Sequence, residues 1–201
     1  MNRKKILIVD DDIINLDYFG QMLPKMGYAV DRAMDGTEAL EMIKHGMPDL
    51  ILLDNIMPRM TGFELVKILK NDNKYKNIPI VMLSALGDMI NKNEGYGLGI
   101  DDYITKPYRF QEILLRLNTV LRCRELYNQI LMREKRLSLA EELLKDIKWN
   151  IGKLNAENLK NVVAELELKI KKTSLEMETI KNEEKNLLEL ETILHSRLVQ
   201  E

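Results

Sequence analysis

The 201-residue sequence predicts an α/β domain with a doubly wound parallel sheet, followed by an all-α extension that is either a coiled coil or a helical hairpin. Three observations carry this. Short β-rich apolar runs alternate with longer amphipathic ones up to Tyr108, the rhythm of right-handed βαβ crossovers. All five prolines and nine of the ten glycines fall in that same stretch. From Arg109 to Glu201 there is no proline and a single glycine, Gly152, and the apolar period turns helical.

In chain order, the first strand is Ile6–Val9, an apolar run that stops at three aspartates. The second is Tyr28–Ala33, the third Leu50–Asp54, the fourth Ile80–Leu83 and the fifth Tyr103–Thr105. Each is short, mainly apolar or β-branched, and set beside turn formers. The helices between them are Ile13–Met26, Thr37–His45, Gly62–Lys70 and a weak segment at Asp88–Tyr96. That last crossover lies in a stretch, Asp88 to Gly99, with two Asn and three Gly, so it is expected to be short or mobile. An antiparallel arrangement is disfavoured, because the loops between unlike elements are too short and regular for hairpins.

Composition excludes several classes. Thirty basic and 32 acidic residues give a net charge of −2, which offers no bulk attraction for a polyanion. Direct binding to nucleic acid or membrane is therefore not expected. The single cysteine, Cys123, rules out an internal disulfide framework. The apolar run behind the basic start is too short for a signal peptide or a membrane span, so a cytoplasmic location is expected.

In an open α/β sheet the functional crevice lies at the carboxyl ends of the strands. Asp10 and Asp11 follow the first strand, Asp54 ends the third, Ser84 follows the fourth and Lys106 follows the fifth. Crowded carboxylates need a cation, and an all-oxygen acidic set selects a hard one such as Mg²⁺. With Ser84 and Lys106 opposite, the set suits in-line phosphoryl transfer to a carboxylate. Taken singly, Asp10 and Asp11 read as a helix N-cap, Ser84 as another cap and Lys106 as a solvated lysine. Convergence at one end of one sheet argues against those readings.

The segments Ile6-Leu7-Ile8-Val9-Asp10-Asp11, Leu53-Asp54-Asn55-Ile56-Met57-Pro58, Leu83-Ser84-Ala85 and Asp101-Asp102-Tyr103-Ile104-Thr105-Lys106-Pro107 resemble, in order and spacing, the receiver domain of two-component response regulators. The resemblance covers roughly Lys4 to Leu121. It implies a CheY-like, flavodoxin-like (βα)5 fold with strand order 2-1-3-4-5, and a receiver over residues 1–121 followed by a helical extension over 122–201. It makes Asp54 the phosphoacceptor and gives Asp11, Asp54 and the backbone carbonyl of Ile56 to Mg²⁺, with Asp10 holding a metal-bound water and Asp12 a bystander. Lys106 becomes the phosphate-binding lysine, before a bond to Pro107 that is usually cis. Ser84 and Tyr103 become the switch pair, the hydroxyl moving to the phosphoryl group and the ring then turning inward. The expected phosphodonor is a sensor histidine kinase or a phosphotransfer protein, and the only catalysis is the receiver's own phosphorylation and dephosphorylation, so no separate enzyme activity is expected. Ile56 and Leu86, two residues past Asp54 and Ser84, are apolar where the family flanks the hydrolytic water, and a long-lived acyl phosphate follows. A competing reading has these side chains merely packing against the loop before Asp88.

In the second half a heptad seam runs from Cys123 through Leu126, Ile130, Arg133, Leu137, Ala140 and Leu144 to Leu154, and another from Leu159 to Leu198. They are one residue out of phase. A bend or helical hairpin is expected near Asn150–Asn158, where Asn and Gly accumulate. Such a stripe needs cover: a parallel coiled coil, hairpins paired as a four-helix dimer, or another protein. Arg133, Glu184 and Glu191 at core positions tilt the choice away from a simple two-stranded coil, and a homodimer through these helices is expected. His195 reads as a solvated flank residue, and Trp149 as a packing anchor or a binding residue. The output is then either protein interaction through the tail, or a transmission coil to a separate enzymatic or DNA-binding output.

Overall fold

The protein is described here by a computed structural model covering residues 3–85, 97–152 and 159–198, with side chains described in all but 151, 152, 159, 160, 184 and 186–198. It divides into two compact units, Met1–Leu121 and Arg122–Glu201. The expected fourth crossover helix, Leu86 and the turn at residues 153–158 lie outside the described residues.

The first unit is a five-stranded, all-parallel sheet with the order β2-β1-β3-β4-β5. The strands are β1 Lys5–Val9, β2 Ala29–Ala33, β3 Leu50–Asp54, β4 Ile80–Ser84 and β5 Asp102–Thr105. Alternation along each strand sends side chains to two faces. Leu7, Val9, Ile51, Leu53, Ile80 and Met82 enter a core with helices α2 (Gly36–His45) and α3 (Gly62–Asn71). Ile6, Ile8, Leu50, Leu52, Val81 and Leu83 enter the opposite core with α1 (Ile13–Lys25) and the start of α4 (Phe110–Gly152). Every residue of β3 and β4 is buried, which is why these strands read as unbroken apolar runs.

Local chemistry fixes the helix ends. Asp12 caps α1, its carboxylate accepting from the N–H of Ile14 at 2.9 Å. The cap is thus neither Asp10 nor Asp11, and this gives the bystander aspartate a structural task. Helix α1 continues through Pro24 and stops at Gly27, whose φ of 90° few other residues adopt. Thr61 and Glu64 form a reciprocal capping box at the start of α3. Tyr28 lies just outside β2, and its hydroxyl donates to Asn118 at 2.6 Å, tying the start of α4 to the sheet. Burial pushes that phenol up to about 12.

In the second unit, α4 and α5 (Leu159–Leu198) run antiparallel. Asp146 pairs with Lys169, while earlier residues on α4, Lys135 and Leu139, share a cleft with later ones on α5, Glu176 and Ile180. The traced heptad on α4 is not the face turned inward. Leu126, Ile130, Leu137 and Leu144 are exposed, as is Arg133, whereas Glu125, Gln129, Met132, Leu139 and Leu143 are buried or half-buried. Helix α4 carries two heptad rows one residue apart, and the traced, more apolar one is not the one α5 meets. On α5, Leu166, Thr173, Met177 and Ile180 are inward, in agreement with the traced seam, while Val163 and Ile170 stay exposed. Trp149 is 64% exposed, and the side chains of Glu184, Glu191 and His195 are outside the described set. Among the described residues no helix is long and apolar enough to cross a membrane.

Candidate functional site

Strand order determines where chemistry can occur. From β1 the chain passes to β2 on one side and then returns across to β3 on the other, so β1 and β3 are neighbours whose following loops diverge. The crevice at that switch point receives the residues at the ends of both strands. Asp10 and Asp11 come from β1, Asp54 from β3, and each offers a carboxylate oxygen within 4.8 Å of the others.

The remaining expected residues arrive from β4 and β5. Ser84 pairs in register with Thr105, and its carbonyl accepts the N–H of Lys106 at 2.8 Å. Lys106 Nζ then reaches Asp54 Oδ2 at 2.8 Å, a charge-assisted contact with a buried carboxylate. The peptide between Lys106 and Pro107 is cis. The Ser84 hydroxyl is buried and has no hydrogen-bond partner among the described residues. Tyr103 is already inward, 6% exposed, in the core that residues of α2 and α3 also enter. Ile56 sits apart from this group in one respect, with 64% of its side chain exposed.

Electrostatics separate the three acids. Asp10 is wholly buried, and that burial is the largest cause of a pKa raised from the ordinary 3.8. The N–H of Asp12, donating to Oδ1 at 2.9 Å, pulls it back down, and the negative charge of Asp54 pushes it up again. Lys106 and the amide of Asn15, which donates at 3.0 Å, lower it. Asp11 is exposed. Three carboxylates face one ammonium, so the donor set is all-oxygen and short of positive charge, and it fits a hard divalent cation such as Mg²⁺.

Three features were missed by sequence reasoning. Asn15 lies in the first turn of α1, and its amide holds Asp10. The Tyr108 phenol is raised by burial first, then by the charges of Asp10, Asp54 and Asp12, so its ring stands beside the acidic crevice. Asp35, wholly buried, caps α2 through the N–H groups of Thr37 and Glu38 and pairs with Arg59. Burial would raise its pKa, but the two N–H donors and Arg59 together hold it below the ordinary value. That pair ties α2 to the loop after β3, where Arg59 takes φ 66°. Only the Asp35-Gly36-Thr37 turn hints at this in sequence.

Fold and site together define a CheY-like α/β protein with an acidic crevice facing a lysine. Residues 6–118 match the response regulator receiver domain. The chain belongs to that family. It is 39% identical over 118 residues to the DNA-binding dual master transcriptional regulator RpaA of Synechocystis, covering 59% of this chain and 49% of that protein. It is 43% identical over 119 residues to the phosphate regulon transcriptional regulatory protein PhoB of Pseudomonas aeruginosa, covering 59% and 52%. The chain thus spans about half the length of the curated relatives it matches. Among solved structures, chemotaxis protein CheY4 of Vibrio cholerae superposes with a TM-score of 0.56 at 36% identity, covering 59% of this chain and 99% of that one.

Proposed function

We propose that this chain is a response regulator of a two-component phosphorelay that takes a phosphoryl group onto Asp54 from a sensor histidine kinase or a phosphotransfer protein. The observation that carries it is the ion pair of Asp54 with Lys106 at 2.8 Å inside a cluster that also holds Asp10 and Asp11. An oxygen of Asp54 attacks the phosphorus of the donor, the O–P bond forms, and the donor's N–P bond breaks. Lys106 stands where it can leave the carboxylate for a phosphoryl oxygen, and the buried Ser84 hydroxyl, without a hydrogen-bond partner among the described residues, can take the same role. Asp11, Asp54 and the Ile56 carbonyl would hold Mg²⁺, with Asp10 reaching it through water. When bound, the ion neutralises charge on the phosphoryl oxygens. Tyr103 would switch with Ser84, from an inward position it already holds.

The receiver spans residues 1–121, and its output in this reading is the helical extension over 122–201, which makes a cytoplasmic homodimer even without phosphate and whose self-association or binding of a protein partner changes with the state of Asp54. A second reading rests on the relatives, which are named as transcriptional regulators. There the hairpin transmits to a DNA-binding or enzymatic output carried elsewhere, and the reading frame beyond Glu201 decides between the two.

The test is labelling with a small phosphodonor, with and without Mg²⁺, followed by mass from light scattering. Wild type should label in a Mg²⁺-dependent way and Asp54→Asn should not. Full labelling of that variant at another residue overturns the assignment.

A further inference from the structure

Helix α4 carries two heptad rows, and the hairpin uses one of them. The row turned toward α5 is mixed: Met132, Leu139 and Leu143 share it with Glu125, Arg136 and Asp146. At about 100° per residue, a second row lies about 100° around the same helix. It holds Leu126, Ile130, Leu137 and Leu144, exposed by 42, 53, 62 and 57%. The more apolar row is therefore the one in water. Beside it, Leu137 and Ala140 join Met177 of α5 in lining a groove of about 570 Å³.

We propose that a second copy of this chain covers the outer row, with the two α4 helices parallel and in register across a two-fold axis. This deepens the homodimer of the previous section and rests on it. The outer row keeps alternating steps of three and four from Cys123 to Leu144, the spacing of a helix that supercoils with another of its own kind. A row presented to itself by a two-fold axis is self-complementary by construction. Leu126 and Ile130 provide the leucine and β-branched positions that parallel two-stranded coils favour.

Flanking charge chooses the direction. The edge of the outer row that is turned away from α5 carries Glu134 and Glu141, both exposed. An antiparallel register sets these equal edges together, acid against acid, and a parallel register keeps them apart. Like charges across such an edge repel. Arg133 lies in the outer row, and its long stem lets the charge reach the rim of the seam.

Cys123, the only cysteine and an exposed one, belongs to this row and reports on the register without engineering. Full-length protein is weighed by light scattering at micromolar concentration and then oxidised in air with copper phenanthroline. The expected result is a dimer mass and a disulfide-linked dimer on a non-reducing gel, absent in Cys123→Ser. Ile130→Lys combined with Leu137→Lys should halve the mass while the first unit's melting stays unchanged. A dimer mass without a Cys123 cross-link overturns the parallel register and leaves the dimer standing. A cross-link from Cys123 to the new thiol of Leu144→Cys, in place of the symmetric one, also overturns it. A monomer overturns the dimer as well. Neither readout needs a phosphoryl donor, so failure of the Asp54 assignment would show separately.

Discussion

A methyl group added at Gly62 should disable the site without touching any acid or base. An ideal Cβ there would stand 2.5 Å from the carbonyl oxygen of Asp54 and 2.9 Å from the Cα of Asn55. Ordinary contact begins at 3.4 Å, so the start of α3 and the end of β3 must part by about 0.9 Å. Neither neighbour is a flexible side-chain tip. Gly62 donates to the Asn55 carbonyl at 2.9 Å and Asn55 to that of Leu83 at 3.3 Å, so the movement is resisted by β4 too. Overpacking of this sort costs about 1–3 kcal/mol. For a unit of this size, ~2 kcal/mol lowers Tm by roughly 8 °C. A reacting group misplaced by about 1 Å loses roughly 100-fold in rate. Gly62→Ala should therefore melt earlier by circular dichroism and accept phosphate from a small donor far more slowly on a mobility-shift gel. The control is Gly46→Ala, where a Cβ meets only the tip of Lys5 at 3.5 Å on an extended backbone, with an expected change within about 0.5 kcal/mol. A Gly62→Ala protein that melts and labels like its parent would refute the close-approach reasoning.

The acidic cluster gives a pH dependence of definite sign. Because the folded pKa of Asp10 is raised, its contribution to metal-free stability is present below 3.8 and lost as pH rises through the raised value, and on the proposed reading Mg²⁺ should reverse the slope by requiring the charged form. Asp10→Asn should raise the metal-free Tm at neutral pH and abolish the Mg²⁺-induced shift; thermal melts across mildly acidic pH that match wild type would contradict this. Asp12→Ala should lose the cap and cost about 1 kcal/mol while leaving the Mg²⁺ shift intact, since its carboxylate is spent on Ile14. Retention of phosphate by purified protein should be long, and Ile56→Asn, which places a polar group on an exposed side chain two residues past Asp54, should shorten it. If the decay is unchanged, apolar shielding is not the cause.

Alternating apolar runs and the residues that close them were legible in the sequence, because strand ends in a parallel sheet are set by burial on two faces and side chains there must be polar. The α/β rhythm, the strands to within a residue or two, and the group Asp10, Asp11, Asp54, Ser84 and Lys106 follow from that alone. Which aspartate caps α1 did not follow, since three adjacent carboxylates are chemically alike and only the backbone path aims Asp12 at the N–H of Ile14 while Asp10 turns inward. The need for glycine at 62 depends on how closely two segments pass, and the Asp35–Arg59 pair joins residues that only packing brings together. In the helical half, periodicity marked a seam but could not say which row α5 would take, because two rows about 100° apart on α4 share one heptad spacing. The choice of face was made by the antiparallel packing of α4 and α5, where the mixed row with Asp146 meets Lys169 and the apolar row is left outward.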